Sequence, residues 1–155
     1  MPLGIVYTND MILDAILNLE CKKAAAAKIQ YTVKINHITE PLNITSTDKS
    51  TILCNAIDNA IEACYQVNEK FIIINIASDK QYIKVQIENS SLPIKIKDNT
   101  ISTTKKNTAL HGFGLKSIKQ SIKKYNGHLN ISYKDGITTL IILMDNSQEQ
   151  IHAQI

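Results

Sequence analysis

Asn55 and Asn59 lie one helical turn apart in the stretch CNAIDNAIEAC. At roughly 100° per residue, Leu53, Ala56, Ile57, Ala60, Ile61 and Cys64 share one face of that helix. Asn55, Asp58, Asn59 and Glu62 fall on the opposite face. A solvated polar face is the ordinary reading of such a set. Solvated faces, however, use Lys, Glu and Gln, and Asn is a poor residue for a helix interior. Ile52 and Ala63 flank the asparagines and suit a pocket wall better than water. A second segment, His111-Gly112-Phe113-Gly114-Leu115, stands directly before a predicted helix. Two glycines let backbone approach a ligand, and the free N–H groups of a helix start favour an anion. It is not a dinucleotide fingerprint, because no strand leads into it and the third Gly is missing. A third segment, IENSS over residues 87–91, ends a predicted strand, and by composition it is an exit turn.

The elements that must carry these segments are readable from period and caps. Asp10 to Ile29 predicts a helix capped by Asn9 or Asp10, with a broad apolar arc suited to more than one neighbour. Tyr31, Val33 and Ile35 alternate with polar residues as a half-buried strand. Ser46, Thr47 and Asp48 are each good caps for a helix from Lys49 to about Val67. Phe71 to Ala77 and Tyr82 to Glu88 form a hairpin around Ser78-Asp79-Lys80. Residues 89–110 carry no sustained period and are rich in Lys, Ser, Thr and Asn, which marks a functional or mobile stretch. Gly114 to Tyr125 is a helix ended by Asn126-Gly127. His128 to Tyr133 and Thr138 to Met144 close the chain as a hairpin around Asp135-Gly136, and the tail from Asp145 is expected to fray.

The chain has 155 residues, 44% apolar and 20% charged, enough for one sizeable core. Its longest apolar runs, Phe71 to Ile74 and Leu140 to Met144, fall far short of the ~18 residues of a membrane span. No membrane contact is expected of this chain. The net charge is +3 and every basic residue is Lys, scattered along the sequence. Without Arg for bidentate base reading, a nucleic-acid partner is not expected. Cys21, Cys54 and Cys64 are odd in number and lack CxxC spacing, and they read as buried free thiols of a reducing compartment.

Taken in order, an Asn-x-x-x-Asn helix, a hairpin ending in an acid or amide, a polar segment, a GxGL helix start and a last hairpin resemble the ATP-binding domain of the GHKL superfamily (the Bergerat fold of gyrases, chaperones, histidine kinases and mismatch-repair proteins). The stretches DMILDAILNLECKKA, NAIDNAIEA, STTKKNTALHGFGLKSIK and KKYNGHLNI resemble more narrowly the accessory-gene-regulator-type histidine kinases of peptide-pheromone quorum sensing. They span most of residues 9–131. The resemblance implies a two-layer α/β sandwich, with a mixed sheet of about five strands and about three helices on one face. It implies ATP and magnesium as cofactors, Asn59 as metal ligand, and Asn55 where hydrolysing members carry a Glu base. Asn55, Asp58, Asn59, Asn89, Gly112, Phe113, Gly114, Leu115 and Thr139 would contact the nucleotide. Thr139 corresponds by this resemblance to a Thr that helps bind adenine. Lys105, with Lys106, would neutralise phosphate charge from a lid, because Glu62 stands where many kinases have a cation. The adenine loop DxGxG is reduced to Asn89-Ser90-Ser91, with Asn89 in place of the usual Asp.

A kinase of this class needs a phosphoacceptor His followed by an acid, on a dimerisation hairpin. His37, His111, His128 and His152 are followed by Ile, Gly, Leu and Ala. The resemblance therefore implies the catalytic half of a larger membrane sensor, located in the cytoplasm. Residues 1–30 would join it to the dimerisation region, residues 31–146 would form the ATP-binding domain and residues 147–155 a frayed tail. Its partners would be ATP, the phosphoacceptor helices of the parent kinase and a downstream response regulator. The alternative is a non-catalytic or anti-sigma-type nucleotide-binding module of the same fold.

Overall fold

A computed structural model describes residues 6, 8–38, 41–97, 100–101 and 108–147, without side chains at 37, 100–101 and 108–113. Helix α1 (Met11–Ala26) begins at Asp10, whose carboxylate accepts from Leu13 N at 3.0 Å. The helix stops three residues short of Ile29, where Lys28 turns into the left-handed region (φ 59°). Strand β1 (Gln30–Ile38) follows. Helix α2 (Ser46–Cys64) is capped by Thr45, one residue before the predicted caps. Thr45 Oγ1 accepts from Asp48 N at 3.1 Å and donates to Asp48 Oδ2 at 2.9 Å, so cap and first turn close on each other. Strands β2 (Phe71–Ser78) and β3 (Tyr82–Ser90) form the predicted hairpin.

Within the aperiodic stretch, β4 (Ile96–Lys97) and β5 (Thr100–Ile101) make a two-residue ladder. Helix α3 (Thr108–Lys123) starts six residues earlier than predicted. Its end is as expected: Asn126 takes a left-handed backbone and Gly127 N donates to Ile122 O at 2.8 Å. Gly127 is required there by space, since a Cβ would lie 2.5 Å from Ile122 Cβ. Strands β6 (His128–Lys134) and β7 (Ile137–Asp145) form a hairpin around Asp135-Gly136, both at positive φ.

The sheet order is β1-β2-β3-β7-β6. The β1–β2 pair is parallel, with α2 in the crossover, and the other pairs are antiparallel. The three helices pack on one face, α2 between α1 and α3, giving the two-layer sandwich with a mixed five-strand sheet. The core lies between the layers, where Ile57, Ile72, Ile74, Ile76, Ile83, Ile118 and Ile142 are excluded from solvent. Burial alternates strictly in β2, in keeping with a sheet that has one wet face. The start of the C-terminal segment is not frayed: Asn146 is 1% exposed and bonds to Asn43, Pro41 and Asp79. Residues 148–155 lie outside the described residues. Among the described residues no helix is long and apolar enough to cross a membrane.

Candidate functional site

Helix α2 turns its apolar arc to the sheet and leaves two polar flanks that face different neighbours. Asn55 and Asn59 are half-buried on one of them. Asn55 Nδ2 donates to Thr51 O at 2.7 Å, a bond back into its own helix that commits one amide hydrogen and orients the carbonyl oxygen away from that turn. Asn59 stands against α3. A Cβ built on Gly114 would lie 3.1 Å from both Asn59 Oδ1 and Asn59 Nδ2. Only glycine at 114 therefore leaves the Asn59 amide undisturbed, and this spot joins two of the sequence segments into one site.

Asp58 belongs to the other flank. Its carboxylate is paired with Lys23 Nζ at 3.0 Å, and the same ammonium reaches Glu20 Oε1 at 2.9 Å. Asp58, expected as a nucleotide contact, is turned by one helical step of about 100° from Asn59 toward α1. A groove of about 570 Å³ between the ends of α1 and α2 is lined on that side by Lys23, Asp58, Glu62 and Tyr65. Glu20 is fully buried, and its Oε2 is the buried side-chain oxygen left without a hydrogen-bond partner among the described residues. Burial pushes its carboxyl up to about 7, and the Asp58 carboxylate adds to the rise against the opposing effect of Lys23.

At the C-terminal end of α2 the helix meets the tip of β3, where Cys64 lies against Ser90. Asn89, Ser90 and Ser91 are 5%, 6% and 5% exposed, so the segment expected to be an open exit turn is built into the core. Asn89 is paired with Ile72 on β2 and with Thr138 on β7. Directly opposed residues in a ladder share a face, so Thr138 stands beside Asn89 on the helix side. Ser91 Oγ and Thr138 Oγ1 are 2.6 Å apart. Thr139 pairs with Glu88 and points to the outer face. Thr139, expected as an adenine contact, thus stands on the face of β7 opposite to Thr138. The residue on the helix side is Thr138, and its face is legible in the sequence: counting back by twos from the buried Met144, Ile142 and Leu140 reaches 138.

The glycine segment is also placed differently from the expectation. Gly112, Phe113, Gly114 and Leu115 lie inside α3, so their backbone does not form a turn ahead of a helix. The N–H groups without an intrahelical partner are those of the first turn, from Thr108. Leu115 is 4% exposed and belongs to the core. Lys105 and Lys106 lie outside the described residues, as do the side chains of His37, His111, Gly112 and Phe113. The three cysteines are free, with Cys21 and Cys64 buried and Cys54 half-buried, and burial raises each thiol above its ordinary value.

An asparagine pair on the central helix, a glycine of the facing helix pressed onto one of them, and a buried amide at the tip of the middle strand make up the candidate site. The GHKL domain family, compared as a sequence profile, matches residues 44–145, from the connection before α2 to the end of β7. The chain belongs to the GHKL family. Among solved structures, the catalytic domain of the histidine kinase ThkA superposes with a TM-score of 0.73 at 17% identity, over 96% of this chain and 99% of that domain. The mycobacterial sensor histidine kinase MprB gives 0.63 at 16% identity, over 88% and 94%. ThkA in complex with the response regulator TrrA gives 0.68 at 17% identity, and there the match spans 92% of this chain and 42% of the kinase. At such identities the likeness is one of fold. Among curated proteins none matches the sequence. The GHKL fold of histidine kinase catalytic domains is thus the fold of this chain, with α1 lying outside the profile match.

Proposed function

We propose that this GHKL domain binds Mg-ATP and transfers the γ-phosphoryl group to a histidine outside this chain, as the catalytic domain of a sensor histidine kinase. The observation that carries the reading is the contact of Gly114 with the Asn59 amide. The absence of a Cβ at 114 keeps a methyl off the Asn59 amide where α2 and α3 meet, which suits an amide oxygen as a ligand for a hard cation. Asn89 supports it from the other end, as a buried amide whose Oδ1 receives no hydrogen bond from the described residues. These residues fit magnesium and adenine respectively. Thr138 takes the adenine role expected of Thr139, because it is the residue beside Asn89. Magnesium, when bound, supplies positive charge to the phosphates. The chain's own share is positioning: Asn59 holds the cation, Asn89 and Thr138 hold the base, and the glycines let the first turns of α3 approach the phosphates. Lys105 adds a cation in this reading. Asn55 has an amide where a base would be needed to activate water, so slow hydrolysis follows and the phosphoryl group is kept for the acceptor.

In this reading α1 is the junction to the dimerisation helices of the parent kinase. That parent is a membrane sensor of the pheromone-sensing class, with this domain in the cytoplasm and a response regulator downstream. A second reading, a nucleotide-binding module without transfer, is favoured by the glycine-free, hydrogen-bonded Asn89-Ser90-Ser91 stretch. Calorimetry of ADP with and without magnesium, followed by incubation with labelled ATP and the parent's acceptor helices, separates the two. Magnesium-dependent binding and acid-labile label on the acceptor are expected, with none on this chain alone. Asn59→Ala is expected to lose both. Binding without transfer would establish the second reading, and absence of binding would overturn both.

A further inference from the structure

We propose that the seam between α1 and α2 is a proton-operated clasp: Glu20 holds the last turns of α1 closed while its carboxyl is neutral and releases them when it ionises. The inference is independent of the nucleotide reading and adds a regulatory device to the fold. It starts from a count of charges. Glu20 is 0% exposed, whereas the side chains of Lys23 and Asp58 are 45% and 49% exposed. One ammonium, Lys23 Nζ, reaches both carboxylates, at 2.9 Å and 3.0 Å. It offsets one negative charge and leaves the second over, and burial makes Glu20 the costly place to leave it.

The other titratable groups around Glu20 do not supply the missing charge. From α2 they are Asp58 and the Cys54 thiol, from β1 the Tyr31 hydroxyl, and on α1 itself Cys21. Tyr31 donates its hydrogen to Leu17 O at 3.1 Å, and burial keeps the phenol and both thiols in their neutral forms. Glu20 Oε2 receives no hydrogen bond from the described residues. With a proton the carboxyl becomes a donor, and the acceptor that faces it is the Asp58 carboxylate. Its titration at about 7 agrees with this arrangement, burial being the largest cause and the bond to Asp58 the next. The last turns of α1 have little else to hold them. After Glu20, Cys21 and Ala24 are buried, while Lys22, Lys23, Ala25 and Ala26 face out. The first turns are held by Leu13, Ile16 and Leu17 in the core and by the Lys49–Asp10 pair at 2.7 Å. The groove of about 570 Å³ lined by Lys23, Ala26, Ile61 and Tyr65 leaves room beside the seam. The carboxyl titrates higher in the closed seam than in an open chain, so closure is strongest below about 4.5 and weakens as pH rises through about 7.

The test is native-state hydrogen exchange of the whole chain at pH 5 and pH 8, each with a urea series below unfolding and with rates referred to an unstructured chain. Amides of residues 21–26 are expected to exchange through an opening that urea hardly promotes, and to lose protection at least tenfold from pH 5 to pH 8. Amides of β2 should exchange through the urea-dependent unfolding of the whole domain. The Glu20 carboxyl carbon, followed by NMR, should titrate over the same range as the loss of protection. Glu20→Gln, neutral at both pH values and close in shape, should keep the protection of residues 21–26 within threefold between them. If that variant does not fold, the measurements on the unaltered chain still decide. Protection that does not change with pH, or a Glu20 carboxyl that titrates in the ordinary carboxylate range, would overturn the clasp. So would exchange of residues 21–26 with the same urea dependence as β2, because Glu20 would then act on the fold as a whole with no separate opening.

Discussion

Gly114 is the residue on which the two halves of the site depend, and its effects on stability and on binding run in opposite directions. Replacing a helical Gly by Ala stabilises a helix by about 1 kcal/mol. Here the added methyl would press on both polar atoms of the Asn59 amide at 3.1 Å. Gly114→Ala is therefore expected to change stability by less than about 1 kcal/mol in urea unfolding, while Mg-ADP binding falls at least tenfold by calorimetry. A variant that binds normally would remove Asn59 from the cation site. Glu20 carries the second prediction at this scale. Its carboxyl is raised from 4.5 to about 7, so between those values the folded chain holds more protons than the unfolded one. Stability from this group is then present below the lower value and is lost as pH rises through the upper one. Glu20→Gln should flatten that fall and leave the variant more stable at pH 8, by at most about 3 kcal/mol. Denaturation at pH 5 and pH 8 measures it, and parallel curves for both proteins would show that Glu20 buries no charge. In the sequence, Glu20 was hidden. A lone acid in an otherwise apolar and lysine-flanked stretch reads as solvent-facing, and only the packing of α1 on α2 shows it to be inside. The Asn55–Asn59 pair was legible because helical period separates it from the core, but period could not tell which flank faces α3 and which faces α1.

Among the elements, α2 and α3 are held together at the end away from the glycines. Tyr125, 1% exposed, donates its hydroxyl hydrogen to Asp48 Oδ2 and accepts from Thr45 N at 3.1 Å. Lys124 Nζ adds a contact to Asp48 Oδ1 at 3.0 Å. Burial alone would raise the Asp48 carboxyl, but the bonds from Tyr125, Lys124 and Thr45 outweigh it and hold the group below its ordinary value. Its contribution is therefore present above the ordinary carboxylate range and is lost as pH falls through that range and below. Tyr125→Phe takes a partner from the Thr45 N–H and from the buried Asp48 carboxylate, a loss of about 1–3 kcal/mol. Acid unfolding of that variant should begin at higher pH, as followed by circular dichroism. An unchanged acid midpoint would show that the hydroxyl does not hold Asp48. The opposite end of α3 was misread in the sequence for a physical reason. Gly112 and Gly114 each disfavour helix by about 1 kcal/mol, and local propensity therefore places a turn there. In the fold Ala109 and Leu110 continue the helix back to Thr108.

At the scale of the whole molecule, the individual strands and turns were legible while their order was not. Alternation marks a strand and Asp-Gly marks a hairpin, but neither says that β1 lies parallel to β2 or that β7 lies between β3 and β6. That information resides in which faces must be buried together, and it becomes visible only in three dimensions. The order has a consequence for how the chain comes off a ribosome. Strand β7 is the last of the five sheet strands to be synthesised, yet it is interior to the sheet and hydrogen-bonded along both edges. Until it emerges, β3 and β6 both present unpaired edges, and the inner residues of β3, Ile83, Val85 and Ile87, belong to a core that lacks Leu140, Ile142 and Met144. Folding of this domain therefore cannot be completed progressively from the N-terminus, and the nascent chain carries open strand edges until β7 is free to pair. Chains stalled after residue 136 should remain protease-sensitive on the ribosome, whereas chains released past Asn146 should become resistant in a single step. Resistance acquired before β7 emerges would show that the first three strands and their helices fold as an independent unit.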